Sequence, residues 1–198
     1  KNVLFITCPT KNTLDYINSL KIVKPEKVKL LYDPIIHVKK ICLKKKLFSK
    51  KNQLALNNYY FAAGRLTKQK NFLFLCKAFK NILHKYPSLR LVIAGAGEDK
   101  KKILSFIKTH KLDNKIILIG YIENIFYHLS HSKGFILSSL WEDPGFVLIE
   151  AAFCRVPVFS SDCENGPKEL IANDHNGVLF NSNSIESFTE NFSKFLNF

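Results

Sequence analysis

The chain of 198 residues has no methionine, one tryptophan and only three arginines (65, 90 and 155) among its 30 basic residues. No run approaches the ~20 apolar residues that a membrane-spanning helix needs. Residues 1–7 read as a strand followed by polar residues, not as the apolar core of a secretory signal. A chain that starts at lysine and lacks methionine reads as part of a longer product. No D-x-D occurs, so there is no paired-carboxylate motif to hold a catalytic divalent metal. The five cysteines (8, 42, 76, 154, 163) form no C-x-x-C and are odd in number, which argues for reduced cytosolic thiols and against a disulfide frame or zinc knuckle. His128 and His131 are three apart on an expected helix, but no cysteine or acid stands beside them at metal-ligand spacing. Scarce arginine and no aromatics interleaved with the basic residues argue against nucleic acid.

What is present in excess is lysine. The formal net charge is +14, and residues 1–60, with 13 lysines against Asp15, Glu26 and Asp33, hold +10 of it. Seven lysines crowd residues 39–51 (Lys39, Lys40, Lys44, Lys45, Lys46, Lys50, Lys51). Such a cluster is either a solvated basic surface or a contact for an anionic membrane face, and the latter suits a cytoplasmic protein that works at the inner side of the membrane.

The pattern along the chain predicts a strand over 3–7, a helix over 10–20 and a strand over 28–32 stopped by Asp33-Pro34. An aperiodic basic stretch then runs to about residue 58. From Tyr59 the pattern turns regular. Apolar runs at 59–63, 89–94, 115–119, 134–138, 156–160 and 177–180 alternate with helical stretches at 71–86, 98–110, 123–131, from 145, 167–172 and 185–196. Short continuous apolar strands separated by helices imply a parallel sheet covered on both faces, an α/β doubly wound fold. The expected organisation is the tail of one domain over 1–38, a basic linker over 39–58 and a Rossmann-like domain over 59–198. In such sheets ligands bind beyond the carboxyl ends of the strands. Glycines and polar residues gather there: Gly64-Arg65, Gly95-Ala96-Gly97, Gly120-Tyr121, 138–145 and 160–166.

Two features of that rim carry chemistry. Arg65 and Lys70, beside helix N-termini, suit a diphosphate: a planar fork and a mobile point charge. Glu142 and Glu150 are separated by seven residues. Glu150 lies in the apolar run Phe146–Phe153, where a carboxylate is costly to bury without a cation, backbone donors or a ligand hydroxyl. Glycine at 95 and 97 permits close backbone approach, and Tyr121 and Ile122 could flank a base or simply pack at the rim. Whether Glu142 or its neighbour Asp143 faces a ligand is left open by spacing, and Pro144 removes one amide donor from the loop.

Taken in order, the run 64–70 (an R-x4-K), 93–98, Gly120-Tyr121, the E-x7-E from Glu142 to Glu150, and 161–170 resemble the family 4 retaining glycosyltransferases of GT-B fold, over residues 59–198. The resemblance implies transfer of a sugar from a nucleotide sugar, UDP- or GDP-linked, to an acceptor hydroxyl, with retention and without metal or other cofactor. It implies roles in bacterial surface-glycan synthesis on a glycan or lipid-linked acceptor. By that resemblance Arg65 and Lys70 contact the donor diphosphate, Glu142 the donor sugar, Glu150 the ribose, and Tyr121 and Ile122 the base. The backbone at Gly145, Phe146 and Val147 faces the sugar or distal phosphate, and Gly95 and Gly97 border the donor. Glu142, Arg65 and Lys70 form the implied catalytic set. By that resemblance the acceptor domain lies outside this sequence, so the chain alone is expected to bind donor at best weakly and to transfer nothing. Alternatives are a non-catalytic nucleotide-sugar-binding subunit with a separate acceptor subunit, and a glycoside phosphorylase.

Overall fold

A computed structural model describes residues 4–46, 58–171 and 175–198. The N-terminal part is a small parallel β-α-β unit. Strand β1 (Ile6–Cys8) pairs with β2 (Val28–Leu30) across helix α1 (Lys11–Ser19) and a short 3-10 turn at Pro25–Lys27. Thr10 starts α1: its Oγ1 accepts the Thr13 amide at 3.1 Å, satisfying one of the orphan donors of the first turn.

From residue 60 onward strands and helices alternate. They are β3 (Tyr60–Ala63), α3 (Phe72–Leu83), β4 (Leu91–Ala94), α4 (Lys100–Thr109), β5 (Ile116–Gly120), α5 (Ile125–His131) and β6 (Gly134–Leu137). Then come α6 (Phe146–Phe153), β7 (Val158–Ser161), α7 (Pro167–Leu170), β8 (Gly177–Phe180) and α8 (Ile185–Phe195). The strands form one six-stranded sheet, ordered β5-β4-β3-β6-β7-β8, and every pairing is parallel. This is the doubly wound sheet expected from the alternation. Its order reverses between β3 and β6, which opens a crevice above their carboxyl ends.

Successive residues of a strand point to opposite faces, so each strand feeds two cores. Tyr60, Ala62, Leu91 and Ile93 join α3, α4 and α8 in one cluster; Phe61, Ala63, Val92 and Ala94 join α5 and α6 in the other. The first cluster centres on Phe159, whose ring lies 4.7–5.4 Å from those of Phe180, Phe188, Phe192 and Phe195. Burial on both faces is why these strands read as unbroken apolar runs.

The lysine-rich stretch differs from its aperiodic reading. Residues 38–46 form a helix, α2 (Val38–Lys46), docked against α5. Only Ile41 is fully buried, and it joins the second core. Asn124 Nδ2 donates to the Lys44 carbonyl at 2.8 Å, and the Lys44 ammonium lies 5.8 Å from the Phe126 ring centroid. One buried isoleucine, the Asn124 bond and the Lys44 contact dock this helix, which leaves little hydrophobic period to read. Lys50 and Lys51 lie outside the described residues. Among the described residues no helix is long and apolar enough to cross a membrane.

Candidate functional site

The loop after β3 carries Arg65 and Lys70 and is pinned from below. Gly64 N–H donates to Ala94 O at 3.0 Å, Leu66 N–H to Ala96 O at 2.8 Å, and Gly95 N–H to Gly120 O at 2.8 Å. The Leu66 side chain is fully buried beneath it. This packing needs glycine at two places: a Cβ on Gly95 would overlap the Gly64 carbonyl, and one on Gly97 would overlap the Leu66 backbone.

The loop after β6 is laced to the first. Leu140 N–H donates to Gln69 O at 2.8 Å, and Gln69 Nε2 donates to Trp141 O at 3.0 Å. Ser138 Oγ donates to Lys70 O at 2.8 Å. On its other side this loop bonds the turn after β7, through Glu142 N–H to Glu164 O at 3.1 Å. Held this way, Lys70 and Glu142 meet. The Lys70 ammonium donates to both Glu142 oxygens, at 2.5 Å (Oε1) and 2.8 Å (Oε2), and Ser139 Oγ donates to Oε1 at 2.5 Å. Ser139 is itself anchored, because its carbonyl accepts from Ser161 Oγ at 2.7 Å. Glu142 is 3% exposed and Ser139 wholly buried. Beside them burial pushes the Cys163 thiol up to about 11, with Glu142 adding to the rise and Lys70 opposing it.

The two acids of the loop are thus told apart. Glu142 turns inward to Lys70. Asp143 is exposed at the cavity rim and accepts a 3.4 Å bond from Thr13 Oγ1 of the N-terminal unit. Nearby, Glu169 Oε2 accepts the Lys11 amide at 3.3 Å.

Gly145 has φ 84°, a left-handed conformation that favours glycine, and it turns the chain into α6. The first-turn amides of Phe146 and Val147 have no acceptor within the helix, so its positive end is open to an anion. One turn on, Glu150 is half-buried on the cavity wall. Among the described residues its carboxylate has neither hydrogen bond nor ion pair. Burial raises its pKa above the ordinary carboxylate value, opposed by the Lys44 charge.

These groups line one open cavity of about 980 Å³ above the carboxyl ends of β3 and β4, at the upper end of ordinary ligand-site volumes. It brings together Arg65, Lys70, Gly95, Tyr121, Ile122, Glu142, Gly145, Phe146, Val147 and Glu150. Gly97 is not on its wall; it serves the packing under Leu66. Among the polar and aromatic lining residues, sequence reasoning gave no role to Gln69, Trp141 and Asn165, and it left Asp143 open as an alternative to Glu142. Trp141, the chain's one tryptophan, is 47% exposed, a signal available only once its surroundings are known. Arg65 is exposed and has no carboxylate partner among the described residues. A second cavity, of about 340 Å³, lies between α6 and β7 and holds none of the candidates.

His128 is no ligand of this site. It stacks on Phe61 at 5.5 Å within the core, and burial lowers its pKa. Among the described residues no three His, Cys, Asp or Glu side chains stand together as a metal site would require. Chemically, among the described residues, the cavity offers one free guanidinium, a second cation already engaged, a helix N-terminus, and an unpartnered carboxylate on a greasy wall. The first and third suit phosphate; the last suits a hydroxyl-rich group.

Comparison with known proteins supplies a family and a fold. A family model described as "Glycosyl transferases group 1" matches residues 44–197. An uncharacterized glycosyltransferase of Methanocaldococcus jannaschii is 42% identical over 113 residues, which cover 57% of this chain and 28% of that protein. The N-acetylgalactosamine-N,N'-diacetylbacillosaminyl-diphospho-undecaprenol 4-alpha-N-acetylgalactosaminyltransferase of Campylobacter jejuni is 32% identical over 132 residues, covering 65% of this chain and 35% of that protein. The chain therefore spans about a third of these relatives' lengths. Among solved structures, Anabaena HepE in complex with UDP superposes with a TM-score of 0.81 at 18% identity, over 98% of this chain and 54% of that one. The pneumococcal O-GlcNAc transferase GtfA in complex with UDP and GlcNAc superposes with a TM-score of 0.76 at 20% identity, over 96% and 38%.

Proposed function

The chain belongs to the group 1 glycosyl transferases, and from that premise we propose that its six-stranded domain is the donor half of a retaining, metal-independent enzyme that transfers a sugar from a nucleotide sugar. The observation that carries this reading is the single cavity at the switch point of the sheet, walled by Arg65, Lys70, Glu142, Glu150 and the N-terminus of α6. Arg65 and the Phe146 and Val147 amides take the diphosphate. As the sugar leaves, negative charge grows on that diphosphate, and fixed donors already aimed at it stabilise the transition state without reorganisation. The absent D-x-D is consistent with protein groups doing this work. Glu150 accepts the ribose hydroxyls, which supplies the partner its apolar surroundings lack. Tyr121 and Ile122 border the base, and Glu142 borders the sugar.

The acceptor is bound by a further domain, against the small β1–β2 unit. Two relatives are named for diphosphoundecaprenol-linked acceptors, and on that likeness the acceptor here is a lipid-linked glycan of a bacterial surface polymer. Helix α2 exposes Lys39, Lys40 and Lys46 around Leu43, which suits contact with an anionic bilayer at the inner membrane face.

Calorimetric titration of UDP, GDP, ADP and their sugars into the chain tests the donor reading. One nucleotide series is expected to bind, and Arg65→Ala is expected to weaken it by about 10- to 100-fold, the loss of a charge-assisted contact. Failure of every nucleotide to bind, or an unchanged affinity in Arg65→Ala, would refute it.

A further inference from the structure

The Lys70–Glu142 pair has few bonds left to give. Glu142 Oε1 accepts from Lys70 and Ser139, and Oε2 accepts from Lys70. Lys70 has three N–H donors, and two of them are spent on this carboxylate. The side chains are 15% and 4% exposed, so the pair is shielded from water and exerts its cancelling effect at close range. The laced loops that place it, Leu140 to Gln69 and Ser138 to Lys70, exist before any ligand arrives. Arg65, on the same wall, is exposed and unpaired among the described residues.

We propose that Glu142 is a charge mask on Lys70. It cancels the ammonium's field at the diphosphate end of the cavity, so that Arg65 and the amides of α6 carry most of the hold on a nucleoside diphosphate. Lys70 adds one remaining N–H as a positioning donor, and Glu142 one remaining lone pair on Oε2 for a sugar hydroxyl. The consequence is selectivity between donor and product. A nucleotide sugar satisfies both residual groups. A bare nucleoside diphosphate satisfies only one and adds a full anionic end beside a carboxylate, so the product is held weakly and leaves. This inference rests on the donor-site reading above and adds to it a reason for the pairing.

The test is titration of UDP, GDP and ADP, without sugar, into the wild-type chain, Glu142→Gln, Lys70→Gln and the double variant. Glu142→Gln keeps the shape and removes the charge, and is expected to bind the nucleoside diphosphate about fivefold tighter or more, since one unit charge is unmasked on the cavity wall. Lys70→Gln, which leaves Glu142 anionic and unpaired, is expected to bind it more weakly than wild type. In the Lys70→Gln background, the added Glu142→Gln is expected to restore affinity only toward the wild-type value and never beyond it, because no ammonium remains to unmask. Glu142→Ala, which admits water beside Lys70, carries the same expectation as Glu142→Gln if the amide variant folds poorly. Equal or weaker binding, by both Glu142 variants, of the nucleoside diphosphate that wild type binds, with wild-type melting behaviour in at least one, overturns the mask while leaving the donor site standing. Failure of wild type to bind any of UDP, GDP and ADP overturns both readings.

Discussion

Replacing Glu150 with glutamine should move stability and affinity in opposite directions. The carboxylate stands half-buried on an apolar helix, has no hydrogen bond or ion pair among the described residues, and has its pKa raised by burial. The sign follows from linkage. A carboxyl whose folded pKa exceeds its unfolded value binds its proton more readily when folded, so its contribution to stability is present at low pH and is lost as pH rises through the folded pKa. At pH 7 the charged form therefore opposes folding, and the neutral amide of Glu150→Gln relieves that. Because the group is also partly solvated and near Lys44, the relief is screened, and the expected change is a modest rise in Tm at pH 7 that fades as pH falls into the ordinary carboxylate range. Binding goes the other way. Two hydroxyls on a charged acceptor are each held by about 1.5–3 kcal/mol, and an amide keeps one acceptor while turning its NH2 toward the other hydroxyl. A loss of about half, roughly 1.5–3 kcal/mol, is about 10- to 150-fold in affinity for the nucleotide. Scanning calorimetry at pH 7 and pH 4.5, with nucleotide titration at pH 7, reads both quantities. A fall in both stability and affinity would mean that Glu150 is a structural residue; an unchanged affinity would remove it from the ribose.

Two further outcomes test how the site is built. Gly95→Ala places a methyl on the Gly64 carbonyl, and backbone on backbone cannot give way as a side chain can; a loss of about 2 kcal/mol or more is expected by chemical denaturation, with weaker nucleotide binding as the Arg65 loop lifts, and a loss below about 0.5 kcal/mol would show that the loop is not packed as described. Ser139→Ala removes a buried hydroxyl that donates to a carboxylate, so a loss of about 1.5–3 kcal/mol is expected in the same measurement; a neutral result would show that Glu142 does not depend on that bond.

Much of the fold was legible because the physics that makes it is local. A strand covered on both faces must be apolar throughout, so runs such as 59–63 and 89–94 announced themselves, and Gly64 and Gly95 after them marked the turns at the carboxyl ends. Helix α2 was not legible: one buried isoleucine among lysine stems leaves no stripe for periodicity to find. Within the site, Arg65, Lys70, Glu142 and Glu150 could be assigned to one rim from strand order alone, since each follows a parallel strand at the same end. What could not be read was who meets whom on that rim. Lys70 and Glu142 are 72 positions apart, and their contact depends on a backbone bond from Leu140 to Gln69 and on a buried serine that looks like any other strand-end serine. The same holds for the neighbours Glu142 and Asp143. Adjacent side chains of an extended loop point opposite ways, so one becomes a buried partner and the other a rim group touching Thr13. Gly95 and Gly97 differ in a third way: both allow close packing, but only Gly95 lies over the cavity. Periodicity states which way a residue points. The electrostatics of this site depend on pairings made by loops, where no period exists, and so the charge that Arg65 and Lys70 present to a ligand differs although both are cations on the same rim.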